Sequence, residues 1–229
     1  MIGVTRDTGP LAVRIASIAE RVERAADAAG RDASEITTVV VTKFQPVELL
    51  EDLYSLGVRD FGESRHQEAK EKAAALPGDI RWHFVGQLQS KKARAVREYA
   101  SVIHSVDRIS LVDALASDDL DVGVFAQINL TDDPARGGVA PSGLDELVES
   151  IQAAPGMRLK GVMAVPPLEE DPARSYARLR ELSERVMRAA PTASAISAGM
   201  SGDFEQAVSA GATHLRIGTA ITGERTRGA

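Results

Sequence analysis

Apolar positions along this chain switch between two periods. The first segment, roughly Leu11 to Ala29, repeats its apolar residues at helical spacing and stops at Gly30. After it, short Val/Ile-rich runs near residues 36–42, 58–61, 80–86, 102–106, 122–129, 159–165, 194–199 and 213–217 alternate with amphipathic segments. Those segments lie near 47–56, 63–75, 89–99, 108–117, 142–153, 172–190, 203–210 and after Ala220. Strands that alternate with helices imply parallel βαβ units. Eight such units within 229 residues predict a single (β/α)8 TIM-type barrel spanning residues 1–229, with an extra N-terminal helix at about 11–29. A doubly wound open sheet is the competing arrangement, which the lack of a Gly-rich dinucleotide fingerprint after the first strand disfavours. The most loop-like stretch, NLTDDPARGGVAPSG, is expected to be a mobile segment over one barrel mouth.

Composition narrows the function classes. The chain has no cysteine, which removes disulfides, thiolate catalysis and cysteine-ligated metals. Its four histidines lack a metal-ligand spacing, so no metal site is expected. A formal net charge of −6 argues against broad nucleic-acid binding. No apolar run approaches the ~20 residues of a membrane span, and MIGVTRDTGP lacks the apolar core of an export signal. A cytoplasmic protein is expected, without membrane or nucleic-acid partners.

In a barrel of this type, side chains at the C-terminal ends of the strands converge on one mouth, where function usually lies. Lys43 follows the first strand at such an end, in TTVVVTKFQP. Partly desolvated by neighbouring valines, its amine becomes more nucleophilic, as Schiff-base formation with an aldehyde requires. A surface lysine just past a strand is the plainer alternative. In SAGMSGDFEQAV, Gly199, Met200 and Ser201 end the seventh run, and Ser201 to Asp203 look like the cap of the next helix. Backbone N–H groups and a hydroxyl there would suit a phosphate, although any helix can use such a cap. In HLRIGTAITGER, Arg216 lies in the eighth run, with Gly218 and Thr219 opening the following turn. The loops after strands seven and eight are the common phosphate site of these barrels. Arg216 is either a ligand contact or an internal salt bridge to Glu63 or Asp203. In RWHFVGQLQSKKAR, strand alternation puts His83 and Val85 on one face and Trp82 and Phe84 on the other. His83 is a candidate partner for a ligand or another strand, and Lys91 and Lys92 begin a solvated helix face. Together the residues describe an imine-forming lysine across a barrel mouth from a phosphate site. Pyridoxal 5′-phosphate satisfies both features, as does a sugar phosphate in a class I aldolase.

VVVTKFQPVE, FGESRHQEA, WHFVGQLQSKKAR, IHSVDR, GVMAVPP and GMSGDFEQAVSAGATHLRIGTAITG resemble the YggS/PROSC family of pyridoxal phosphate homeostasis proteins, in order, from about residue 11 to Gly223. The resemblance implies the alanine-racemase-like barrel, fold type III among pyridoxal phosphate proteins. By it, Lys43 would hold the cofactor as an internal aldimine. Ser201 and the backbone of Gly218 and Thr219 would receive the phosphate, Met200 and His83 would line the pocket, and Arg216 would face the pyridine nitrogen. Three positions depart from the family pattern: Ser64 and Lys91 stand where asparagine is usual, and Ala198 where methionine is. Alanine racemase adds a second domain with a tyrosine base, whereas Tyr54, Tyr99 and Tyr176 here fall in helix-like segments. The expectation is therefore a monomeric carrier or buffer of pyridoxal phosphate with no catalytic residues, with pyridoxal phosphate-dependent apoenzymes as candidate partners. A racemase or related enzyme is the alternative, and a class I aldolase-type barrel the second alternative.

Overall fold

The computed structural model describes residues 7–119, 121–133, 135–167 and 169–223. Eight parallel strands, β1 (Thr37–Val41), β2 (Asp60–Glu63), β3 (Arg81–Phe84), β4 (Val102–Val106), β5 (Val122–Gln127), β6 (Met157–Met163), β7 (Ala195–Ser197) and β8 (His214–Ile217), close into a barrel in sequence order. The closing pair sets Val39 beside Arg216 and Val40 beside Ile217. The competing open sheet is ruled out by that pairing. Helix α1 (Gly9–Ala28) precedes the barrel. Helices α2 (Val47–Ser55), α3 (His66–Ala75), α4 (Ala93–Arg97), α5 (Ile109–Leu115), α6 (Leu144–Ala153), α7 (Pro172–Ala189), α8 (Phe204–Ser209) and α9 (Thr219–Thr222) follow successive strands.

Strand alternation divides the interior into two regions. One set of side chains, including Val40, Phe61, Trp82, Ile103, Val124, Val162 and Leu215, packs outward against helix residues such as Leu50, Leu111, Leu147, Leu179 and Phe204. Each such aliphatic or aromatic side chain, fully buried, contributes about 1.5–3 kcal/mol. The other set faces the barrel axis. There Val102, Phe125 and Met163 form a small separate apolar cluster. His83, His104, Ser197 and Arg216 are also buried there, so the axis is unusually polar.

Helix α1 packs on the last two βα units. Arg14 donates from Nε to the Ile221 carbonyl at 2.6 Å, and Arg21 pairs with Glu205 while stacking over the Phe204 ring. Gly161 lies in a bulge of β6 with φ 152°, where a Cβ would come within 1.8 Å of the Ala195 carbonyl oxygen, so only glycine lets β6 approach β7.

Two elements differ from the sequence pattern. The seventh strand ends at Ser197 rather than 199, because Gly199 turns the chain at φ 92°. The 129–143 segment is not an open flap. The Asn129 amide donates to the Val139 carbonyl, the Val139 amide donates to the Gln127 carbonyl at the end of β5, and the Asn129 side chain donates to the carbonyls of Asp133 and Arg136.

Candidate functional site

Lys43 reaches the C-terminal mouth through a tight, held turn. After β1 the chain bends so that the Gln45 amide returns to the Thr42 carbonyl at 3.0 Å. The turn places Phe44 at φ 65°, a left-handed conformation that costs a side-chain-bearing residue about 1–2 kcal/mol. Contacts from Glu68, Arg65 and Lys72 hold it there. The Phe44 amide donates to Glu68 at 2.8 Å, the Phe44 ring lies under Arg65, and Lys72 donates to the Thr42 carbonyl at 2.9 Å. Lys72 itself is buried and also donates to Glu63 at 2.7 Å, while Thr42 donates from Oγ1 to the same carboxylate oxygen. Burial pushes the Glu63 carboxyl up despite those two donors. Thus β1, β2 and α3 together fix the backbone on which Lys43 stands.

Six of the seven residues singled out in the sequence meet at this mouth. Lys43, Met200, Ser201, Arg216, Gly218 and Thr219 line one cavity of about 510 Å³, together with Val41, Gln45, Val85, Val165, Gly202 and Thr222. The side chain of Lys43 is exposed rather than sheltered by the β1 valines, two of which are buried behind it. Opposite Lys43, the loops after β7 and β8 face each other. The Ser201 Oγ accepts from the Ala220 amide at 3.4 Å and ties them together. Among the described residues, no hydrogen bond within the protein takes up the backbone N–H groups of Ser201, Gly202, Gly218 or Thr219. Amides without a partner in the protein, together with a hydroxyl, on four residues that line one cavity are groups suited to an anion.

His83 is not brought to that mouth. It lies one inward position earlier on β3 than Val85, which does line the cavity, and it is buried against Asp60 and His104 instead. The internal salt bridges suggested for Arg216 are also not made. Glu63 is engaged by Lys72, and Asp203 accepts from the Met200 amide. Arg216 instead donates to Ser197 Oγ at 2.7 Å and to the Ala164 carbonyl at 2.9 Å. Burial pushes its guanidinium down to about 10, which leaves it charged at neutral pH. Ser64, Lys91 and Ala198 do not line the cavity. The backbone of Ser64 instead presses on Gly86, where a Cβ would come within 2.3 Å of the Ser64 carbonyl oxygen. Tyr54 donates to Asp79 and Tyr99 meets His66, so both pack elsewhere, while Tyr176 is buried on α7 close to Arg216 and Asp203 without lining the cavity.

The chain matches the family model for the alanine racemase N-terminal domain over residues 13–226. It is 39% identical to the pyridoxal phosphate homeostasis protein of Pseudomonas aeruginosa, covering 96% of this chain and 97% of that one. It is 33% identical to the protein of the same name from Escherichia coli, covering 94% and 97% respectively. This chain belongs to the pyridoxal phosphate homeostasis protein family. Among solved structures, PipY of Synechococcus elongatus with pyridoxal phosphate bound superimposes with a TM-score of 0.80 at 30% identity, over 93% of this chain and all (100%) of that one. Alanine racemase of Corynebacterium glutamicum shares the fold, with a TM-score of 0.69 at 16% identity, and this chain spans 59% of it. The homeostasis-family barrel here is thus the alanine-racemase type, fold type III. Among the described residues, no helix is long and apolar enough to cross a membrane, and no cluster of side chains is arranged to hold a metal ion.

Below the cavity the barrel axis carries a second polar region that composition did not reveal. At the N-terminal mouth, an opening of about 790 Å³ is lined by His214, Lys160 and Arg158 among others. Burial, then the nearby His83 and Lys160, push the His214 imidazole down to about 4, with Asp60 opposing and Arg216 adding to the effect. An imidazole depressed in the fold but ordinary when unfolded stabilises the protein above about pH 6.5 and loses that contribution as pH falls towards 4. We expect His214→Gln to flatten the fall in unfolding free energy between pH 7 and 4 by on the order of 2 kcal/mol, after allowance for its partial exposure. Urea titrations of both proteins at several pH values measure it, and parallel curves would refute it.

Proposed function

We propose that this chain binds pyridoxal 5′-phosphate at the C-terminal barrel mouth, with Lys43 as the attachment point, and acts as a carrier or buffer of the cofactor with little or no catalysis. The observation that carries the reading is one cavity with a primary amine on one wall and unpaired amides plus the Ser201 hydroxyl on the other. Pyridoxal phosphate supplies an aldehyde that condenses with an amine, releasing water, and a pyridine ring that can take up electrons. The residues fit that molecule. The amides of Ser201, Gly202, Gly218 and Thr219 would receive the phosphate, and Met200, Val41 and Val165 offer apolar surface to the ring. Arg216 would meet the ring nitrogen. A guanidinium has donors only and keeps its charge, so it favours a nitrogen without a proton and makes the ring a poorer electron sink.

The same wall residues argue for holding rather than turnover. Among the described residues, the titratable groups that line the cavity are Lys43 and Arg216. Stereochemical inversion at an amino acid's α-carbon needs a base or acid on each face. The exposed amine of Lys43 suits exchange of the cofactor with pyridoxal phosphate-dependent apoenzymes, and we place this role in the cytoplasm, carried out by a monomer. The family to which the chain belongs favours pyridoxal phosphate over a sugar phosphate as the occupant.

The test is a visible absorption titration of the purified protein with pyridoxal phosphate, followed by borohydride reduction and peptide mass mapping. A new saturable band and a reduced adduct on the peptide containing Lys43 are the expected result. No band, or an adduct spread over surface lysines, would overturn the assignment. Incubation with amino acids in deuterated water tests the carrier role, since wash-in of deuterium at the α-carbon would indicate an enzyme.

A further inference from the structure

Arg216 is held by a chain of buried groups that runs the length of the barrel axis and ends at the opposite mouth. Its Nη1 donates to Ser197 Oγ at 2.7 Å, and Ser197 Oγ lies 2.8 Å from His104 Nδ1. His104 Nε2 lies 2.9 Å from His83 Nδ1, and His83 Nε2 lies 3.0 Å from Asp60 Oδ1. The residues come from β8, β7, β4, β3 and β2, so five strands contribute one link each. His104 is fully buried and stacks on Phe125 at 4.7 Å between ring centroids.

Proton positions along this chain follow from its ends. Burial would raise the Asp60 carboxyl, but hydrogen bonds from His83 and Arg81 outweigh it and hold the group down to about 2. An ionised carboxylate only accepts, so His83 Nε2 carries a hydrogen. His83 Nδ1 faces His104 Nε2, and which of the two donates is fixed from the other end, where Ser197, already accepting from Arg216, has His104 Nδ1 as the partner for its hydrogen. Burial first, and then the neighbouring His83, Arg216, His214 and Lys160, holds His104 well below its ordinary value and therefore neutral. Its Nδ1 accepts from the Ser197 hydroxyl, so its Nε2 carries the hydrogen and donates to His83 Nδ1. All four hydrogen bonds point from guanidinium to carboxylate, the arrangement in which each polarises the next. The reverse order would put hydrogens on both ring nitrogens of His83 and turn the Ser197 hydrogen into a buried space with no partner.

We propose that Ser197, His104 and His83 are positioning residues that fix Arg216 for the cofactor ring, with the donor order of the relay secured by Asp60 at the far mouth. This rests on the pyridoxal phosphate reading above. The relay acts through Arg216 and touches no reacting atom. It explains why a buried arginine that, among the described residues, hydrogen-bonds to no carboxylate holds one orientation, and why polar groups occupy an axis that similar barrels fill with branched aliphatics.

Asp60→Asn tests the relay from the end that does not line the cavity. An amide can offer His83 an N–H in place of an acceptor, which admits the opposite order, as the equivalent change does in a serine protease triad. In cofactor-free protein, nitrogen NMR of the imidazoles should show His104 as a single tautomer with its hydrogen on Nε2. Asp60→Asn should convert it to the other tautomer or to a mixture. With pyridoxal phosphate added, Asp60→Asn should change the circular dichroism of the bound cofactor and weaken its binding by about tenfold, roughly one oriented hydrogen bond. His104→Phe keeps the stack on Phe125 while cutting the chain, and should give the same spectral change with an unaltered far-ultraviolet signal. Wild-type affinity and an unchanged cofactor spectrum in both variants would overturn the proposal, as would a tautomer mixture in the wild type. If wild type fails to take up pyridoxal phosphate, the cofactor reading has failed, and the NMR comparison still decides whether Asp60 orders the chain.

Discussion

Lys43→Ala should abolish the visible band that the wild type gains with pyridoxal phosphate and raise the dissociation constant by roughly a hundredfold, about 3 kcal/mol. Binding should not vanish. The loop amides, Ser201 and Arg216 remain, so the variant should still take up the free aldehyde form and release it to competing inorganic phosphate. Ser201→Ala should show the opposite pattern, with the band retained and affinity reduced by a few-fold to tenfold, the net worth of one hydrogen bond to a charged group. Stability offers an internal control. Lys43 is exposed and holds no other element in place, so its removal should change unfolding free energy by no more than about 0.5 kcal/mol. Absorption titration and urea unfolding of the same preparations measure both quantities. A Lys43→Ala protein that keeps the band would show that another amine carries the cofactor.

That Lys43, Ser201, Arg216, Gly218 and Thr219 share one cavity is legible in the sequence for a physical reason. In a parallel barrel, the end of each strand is marked by the change from period 2 to period 3.6, and strand ends are where barrels of this type usually place their chemistry. The eight-fold alternation therefore gave both the fold and the level at which to look. His83 shows the limit of that logic. Alternation correctly put it on the same face as Val85, but depth along the axis depends on register and barrel stagger, which local sequence does not state. The relay was hidden for a related reason. Ser197 and His104 are 93 residues apart in the chain, and each reads locally as an unremarkable strand residue. IHSVDR carried the only signal, a histidine in an otherwise buried strand, and it could be interpreted only once the partner strands were known. The 129–143 segment reads as loop from its Pro, Gly and Asp content. That composition does not reveal that Asn129 satisfies the backbone of the same segment.

Lys72 does not stand out in the sequence, because α3 is rich in charge and reads as solvated throughout, yet it has the largest expected effect on stability. Lys72 is 4% exposed, and its Nζ is divided among the Glu63 carboxylate, the Thr42 carbonyl and, at 3.5 Å, Glu68. Lys72→Met should lower unfolding free energy at pH 7 by about 3–5 kcal/mol, because Glu63 is left buried with its charge uncompensated. For a domain of this size the melting temperature should fall by about 10 °C or more. The sign of the pH dependence identifies the cause. Glu63 already has a raised carboxyl in the fold, and without Lys72 it rises further. A raised folded value favours the protonated group, so the deficit should be full well above the ordinary glutamate range and shrink as pH falls towards 4. Glu63→Leu combined with Lys72→Met should recover most of the loss, as removal of both members of a buried pair usually does. Cofactor affinity should not recover with it. Lys72 also holds the Thr42 carbonyl, one residue before Lys43, and neither leucine nor methionine can replace that hydrogen bond. A stable double variant with weakened pyridoxal phosphate binding would separate the role of the pair in folding from its role in aiming Lys43. Full recovery of both would mean that β1 alone places the lysine.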